Sequence, residues 1–343
     1  MLSPPVLLVA IMTSSFTHFG VVGAGAWGTA LATALNHAGR SVTLWARLPD
    51  LAQAIAEKHE NTAYLPGITL DSAIRVTSNL ADLAICDAII LSAPAQHLRA
   101  ICKNLAPHCP VPRPLIIAAK GIELTTHRLM SEVVAEEMPG HPVFILSGPS
   151  FALEIAQKMP AALTLAGETG GEQLAQAMSS PFFRLYTTDD IIGTQIGGAI
   201  KNVLAIGCGI VMGRKLGENA RAALITRGLA EMVRLGTALG ARPETLMGLS
   251  GLGDVVLTCS SAQSRNTSFG LALGQGMSVT AILAARKGVT EGIPTATAAL
   301  GLARRHGVDM PLTGAIDMIL REKVSIDTII SGLLSRPLRH EAI

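Results

Sequence analysis

Phe19-Gly20-Val21-Val22-Gly23-Ala24-Gly25-Ala26-Trp27-Gly28-Thr29-Ala30-Leu31 decides the fold. A short apolar run enters a Gly-x-Gly-x-x-Gly loop, and a helical pattern follows until Gly39. In a strand–loop–helix setting this spacing marks a dinucleotide site. Gly23 permits the tight turn, Gly25 lets the backbone approach a pyrophosphate, and Gly28 lets helix pack close on strand. The pyrophosphate then rests on free N–H groups at the helix N-terminus. The next apolar run, Val42–Trp45, leads to Arg47, where an NAD site usually has an acid for the ribose; none occurs before Asp50. A guanidinium can pair with a 2′-phosphate, which favours NADP(H) and leaves NAD(H) as the alternative. The competing reading of Arg47 is a solvated side chain at a strand end.

Working outward, Phe19–Val22, Val42–Trp45, Ala88–Leu91, Leu115–Ala119 and Val143–Leu146 read as buried strands. Helical stretches such as Thr29–Ala38 and Gln96–Leu105 lie between them. Such alternation predicts an α/β, Rossmann-like, doubly wound parallel sheet covered on both faces. Beyond Asp189 the strands fade. Ile191–Gly213, Ala220–Leu239, Thr280–Ala285, Thr295–His306 and Ala315–Leu320 predict an all-α C-terminal domain. The expected division is an extension over 1–17, a dinucleotide-binding domain over 18–189 and a helical substrate domain over 190–343. No Asp, Glu, Lys or Arg precedes Arg40, so the apolar run Val6–Met12 lacks the positive flank of a signal peptide.

With 343 residues, the chain is long enough for two cores. A net charge of +2 argues against a broad nucleic-acid face, and 3% aromatic content against base stacking. Cys86, Cys102, Cys109, Cys208 and Cys259 are scattered without a C-x-x-C pair, so neither a disulfide framework nor a metal site is indicated. They read as small buried hydrophobes in a reducing cytoplasm.

Chemistry gathers at a few places. Ile191–Gly213 contains one charged residue, Lys201. A lysine central to so apolar a helix argues against a membrane span and for burial at a domain junction. There it is either a desolvated amine fit to act as a general base or a side chain snorkelling to water. Asp254, in Gly251-Leu252-Gly253-Asp254, is a candidate partner. Ser264-Arg265-Asn266 combines a hydroxyl, a guanidinium and an amide suited to phosphate, or is simply a polar loop. Lys120 and the Ser147-Gly148-Pro149-Ser150 loop follow inferred strands, at the ligand-binding edge of open sheets.

On these residues the chain resembles the bacterial NAD(P)-dependent sn-glycerol-3-phosphate dehydrogenases from about Phe19 to Pro311. The matching segments include Gly23–Ala32, Asn61–Pro66, Ala119–Glu123, Ser147–Ala152, Gly197–Val203, Asn219–Gly228, Gly251–Asp254 and Gln263–Asn266. The resemblance implies that Lys201 is the proton acceptor and that Lys120 touches nicotinamide and substrate. It implies a substrate site lined by Gly148, Ser150, Asp254, Ser264, Arg265 and Asn266. It also implies cofactor contacts from Ala26, Trp27, Arg47, Ala152, Arg265, Val289 and Glu291. Ala26 stands where many members carry serine, and Ser150 where threonine is also common.

The implied reaction interconverts dihydroxyacetone phosphate and sn-glycerol 3-phosphate, feeding glycerophospholipid synthesis without a metal. Its partners are small molecules, with no nucleic acid and no integral membrane; apolar C-terminal helices fit a homodimer. The rivals are another two-domain hydroxyacid dehydrogenase and a non-catalytic NADP(H)-binding redox sensor. The first places lysine and asparagine four residues apart, whereas Lys201 and Asn202 are adjacent. The second leaves Lys120, Lys201 and Asp254 idle.

Overall fold

The apolar runs form the middle of a wider sheet in a computed structural model that describes residues 16–286 and 288–337. In chain order the strands are β1 (His18–Val22), β2 (Ser41–Trp45), β3 (Glu60–Asn61), β4 (Leu65–Thr69) and β5 (Ile74–Thr77). They continue as β6 (Ala88–Leu91), β7 (Leu115–Ile117), β8 (Val143–Ser147), β9 (Ala161–Ala166) and β10 (Phe183–Thr188). Eight of them form one sheet in the order β10-β9-β8-β7-β6-β1-β2-β5, while β3 and β4 make a separate antiparallel pair. All neighbours in the large sheet are parallel except β8 and β9. The chain steps from β1 to β2 on one side and returns with β6 on the other, so the topological switch lies between β1 and β6.

Strand periodicity explains the continuous apolar character. Val21, Ile90 and Ile116 face one buried cluster with Leu31 and Leu35 of the helix Ala26–His37. Their neighbours Val22, Ile89, Leu91 and Ile117 face the opposite cluster with Leu98, Cys102, Leu105 and Val133. Side chains alternate across a strand, so a sheet covered on both faces needs apolar residues at every position.

To the large sheet the structure adds β5, β9 and β10, and beside it the β3–β4 pair, none of which the sequence announces. β5 and β10 are edge strands carrying polar residues, Ile-Arg-Val-Thr and Phe-Arg-Leu-Tyr-Thr-Thr, and β9 is alanine-rich.

The described residues form two compact units, one comprising those up to Ala119 with Met130–Ile191, the other Lys120–Leu129 with those from Ile192 onward. Besides the expected boundary near Asp189, Lys120–Leu129 therefore leaves the first unit and joins the second. The reason is apolar: Ile122 and Leu129 are buried with Ile196, Ile200 and Ala299. Of the expected extension, residues 1–15 lie outside the described residues. Phe16 is buried in the sheet core, and the Thr17 N–H donates to Asp87 at 2.8 Å.

The second unit is helical among its described residues, built around Ile191–Gly213. That helix crosses Arg265–Gly274 at backbone distance, because a Cβ on Gly209 would overlap the Thr267 carbonyl and one on Gly270 the Ile206 carbonyl. It is long and apolar enough to cross a membrane, yet most of it is buried inside the protein. All five cysteines are free and buried.

Candidate active site

In the first unit, Gly23 leaves β1 with φ +114°, a left-handed conformation that favours glycine. A Cβ on Gly28 would fall on the Gly23 carbonyl oxygen, so this helix packs as the fingerprint requires. Gly25 caps the helix, and a Cβ there would meet nothing within 4 Å. Open space at that point, with first-turn N–H groups facing it, fits a pyrophosphate. Two buried donors at the same edge, Trp27 Nε1 and the Ser92 hydroxyl after β6, make no hydrogen bond among the described residues. The loop itself is braced by Asn61, fully buried, whose Nδ2 donates to the Ala24 carbonyl (2.9 Å) and to Thr29 Oγ1 (2.8 Å).

Arg47 is exposed just beyond the end of β2. After β8, Gly148 has φ +144° and lies so close to Leu163 that a Cβ would approach its Cα to 2.9 Å. Ser150 is half-buried, with its hydroxyl donating to the Gly148 carbonyl at 3.1 Å. Ala152 begins the short helix Ala152–Ala156.

The second unit contains the charged cluster. Lys201 is 9% exposed and does not snorkel. Its Nζ donates to Asp254 Oδ1 and Thr258 Oγ1, both at 2.9 Å. Thr258 in turn donates to Asp254 Oδ1 at 3.1 Å, closing a ring of three groups. Asp254 and Thr258 share one face of the helix Asp254–Ser260 because they are four residues apart. The other oxygen, Asp254 Oδ2, accepts from Lys120 Nζ at 2.6 Å. Burial pulls the Lys120 amine down from 10.5 to about 8, Lys201 adds repulsion, and the Asp254 carboxylate offsets part of the shift. Burial would raise Asp254, but the two ammonium groups prevail and hold it below its ordinary value.

Behind the cluster runs an amide relay. The Gly292 N–H donates to Asn266 Oδ1 (3.0 Å), Asn266 Nδ2 to Asn202 Oδ1 (2.9 Å), and Asn202 Nδ2 to the Lys120 carbonyl (3.3 Å). Asn266 is therefore also a structural bridge, a role its place in the polar trio did not reveal. Ser264 caps the helix Arg265–Gly274 by accepting from the Thr267 N–H at 3.2 Å. Arg265 is exposed, and among the described residues its guanidinium makes no hydrogen bond or ion pair. Val289 and Glu291 are half-buried in this same unit, at the approach to the helix Gly292–Arg305. Among the described residues no three His, Cys, Asp or Glu side chains gather as a metal site.

Residues 18–172 match the family described as NAD-dependent glycerol-3-phosphate dehydrogenase N-terminus, and residues 190–331 match its C-terminus. The chain belongs to this family. A glycerol-3-phosphate dehydrogenase [NAD(P)+] of Caulobacter vibrioides is 54% identical over 96% of this chain and 100% of its own. The Parvibaculum lavamentivorans protein of the same name is 51% identical over 96% of this chain and 100% of its own. The crystal structure of a glycerol-3-phosphate dehydrogenase from Coxiella burnetii superposes with a TM-score of 0.91 at 37% identity, covering 94% of this chain and 100% of that one. Within this member of the dehydrogenase family, sequence reasoning missed Asn61, Asn202 and Thr258. Only Thr258 had a readable signal, its four-residue spacing from Asp254 on a helix.

Proposed function

We propose that this chain interconverts dihydroxyacetone phosphate and sn-glycerol 3-phosphate, with NADP(H) preferred over NAD(H). The observation that carries this reading is Asp254 bridging Lys120 and Lys201 in a buried cluster, within a chain of this family. A nicotinamide cofactor held by the Gly23–Gly28 loop would supply hydride chemistry at substrate C2 in either direction. Lys201 supplies the proton. Of the three donors on its ammonium, two are held by Asp254 and Thr258, leaving one for the substrate oxygen. In reduction that donor protonates the developing alkoxide, and in oxidation the neutral amine accepts the C2 hydroxyl proton. Asp254 orients both lysines and compensates their charge.

Arg265, whose guanidinium makes no hydrogen bond or ion pair among the described residues, is the group we assign to phosphate, supported by Ser264 and the remaining amide hydrogen of Asn266. Gly148 and Ser150 complete the proposed substrate set. Gly23, Gly25, Ala26, Trp27, Gly28, Arg47, Lys120, Ala152, Arg265, Val289 and Glu291 are assigned to the cofactor. Arg47 is assigned to the 2′-phosphate because it is an exposed cation beyond β2. Five free, buried thiols fit a reducing cytoplasm. A homodimer is inferred from apolar C-terminal side chains left exposed, Met318 and Leu334 among them, and sedimentation tests it. The deciding assay follows NADPH and NADH oxidation with dihydroxyacetone phosphate, with dihydroxyacetone as control. Equal kcat/KM for the two ketones would overturn the phosphate assignment.

A further inference from the structure

Lys120 stands at the head of the Lys120–Leu129 segment, and that segment is closed on itself. Ile122 pairs with Leu129 as an antiparallel bridge, and the Glu123 N–H donates to the Arg128 carbonyl at 2.9 Å. Across the tip, the His127 N–H donates to the Glu123 carbonyl (2.9 Å) and Thr126 Oγ1 to the Glu123 carboxylate (2.5 Å). A loop tied this way moves as one body, so a shift at its tip is passed to its head.

Two residues of the helix Gly292–Arg305 hold the tip. The His127 ring covers Gly301 so closely that a Cβ on Gly301 would overlap the ring. Four residues on, on the same helical face, Arg305 Nη1 donates to the Thr126 carbonyl at 2.8 Å. His127 adopts φ +58°, a left-handed conformation uncommon for a side chain of this size. Its buried Nδ1 makes no hydrogen bond among the described residues. Burial first, then Arg305 and Arg304, lower its pKa and favour the neutral ring that the notch accepts.

We propose that the His127 ring seated on Gly301 sets the position of the Lys120 amine, with Arg305 as second anchor. These three are positioning residues: they act on the reaction through Lys120, at the far end of the closed loop. The inference rests on the role given to Lys120 above and extends it to side chains outside the charged cluster. Misplacing a reacting group by about 1 Å can cost up to about 10²-fold in rate, so a modest tilt of the loop is enough to register.

The test is a double-mutant cycle read in kcat for dihydroxyacetone phosphate reduction, with melting temperature measured alongside. Gly301→Ala fills the notch and displaces the ring; kcat should fall about tenfold while the melting temperature stays near wild type. His127→Gly empties the notch and keeps the left-handed backbone at no cost, and should also lower kcat. The double variant should be no slower than His127→Gly alone, since the new methyl then enters vacant space. Arg305→Met, at an exposed site with little risk to folding, should slow the reaction several-fold. Wild-type kcat in Gly301→Ala, multiplying losses in the double variant, or an unaffected Arg305→Met would each overturn the proposal. A purely structural role would lower the melting temperature and leave kcat in place. If the wild-type chain itself failed to reduce dihydroxyacetone phosphate, the functional reading would fall first and this inference with it.

Discussion

Lys120 and Asp254 are separated by 134 positions in sequence and by 2.6 Å between Nζ and Oδ2. The contact places a second ammonium on a carboxylate that Lys201 already holds through its other oxygen. Two cations thus share one buried anion. Extra positive charge in so dry a place favours loss of a proton, and Lys120, pulled down to about 8, is where the strain appears.

A pH signature in stability follows. Unfolded, Lys120 keeps its proton up to about 10.5; folded, it gives it up at about 8. Between those values the unfolded chain binds more protons, so stability should rise with pH across that window. Below about 8 both states are protonated and the cost of burying the charge is fully present. Urea midpoints from pH 7 to 10 should show wild type gaining on Lys120→Met as pH increases. Parallel curves for the two proteins would count against the shifted amine.

The glycine loop offers a contrast between two neighbouring changes. Gly25→Ala adds a methyl to open space, so the fold should lose only the cap difference, about 1 kcal/mol. That methyl lies where backbone and pyrophosphate would meet, and NADPH affinity should weaken at least tenfold, or about 1.4 kcal/mol. Gly28→Ala drives a methyl into the Gly23 carbonyl and should cost both folding and affinity. Calorimetry and NADPH titration separate the cases. Equal drops in melting temperature would show that Gly25 is needed by the fold rather than by the ligand.

Such positions were legible because glycine spacing, strand and helix are all local in sequence. Lys201 was legible for a similar reason, as one charge in an apolar helix. What was hidden is whatever depends on contacts between distant segments. Asn61 braces the Ala24 carbonyl from 37 residues away, and Asn202 meets Asn266 across 64. No periodicity advertises either. The transfer of Lys120–Leu129 to the helical unit was hidden too, since Ile122 and Leu129 read as apolar residues without an address. Edge strands β5 and β10 escaped because one side lacks a neighbour, so polar residues interrupt the pattern.

Arg47 gives a test of cofactor choice that leaves the core untouched. It is exposed just beyond β2, so Arg47→Asp should fold normally. The change removes the cation proposed for a 2′-phosphate and supplies an acceptor for ribose hydroxyls. The ratio of kcat/KM for NADPH over NADH should drop by at least tenfold. An unaltered ratio would reduce Arg47 to a solvated strand-end residue.

Lys201→Met separates chemistry from architecture. Methionine is unbranched and apolar, suited to the buried middle of Ile191–Gly213. Removing this amine does not strand Asp254, whose other oxygen keeps Lys120 at 2.6 Å. Thr258 still donates to the carboxylate at 3.1 Å, so the ring loses one member and no charge is left bare. The folded state should therefore persist, and NADPH should still bind through the Gly23–Gly28 loop. The rate should not survive: loss of a placed acid–base group typically costs about 10²–10⁴-fold, and Lys120, held on the opposite oxygen, is not placed to replace it. The measurements are kcat, melting temperature and NADPH affinity on one preparation. A folded variant keeping more than about a tenth of wild-type kcat would remove Lys201 from the proton step. One that unfolds would instead make Lys201 a pillar of the helix, needed to neutralise Asp254 before any substrate arrives.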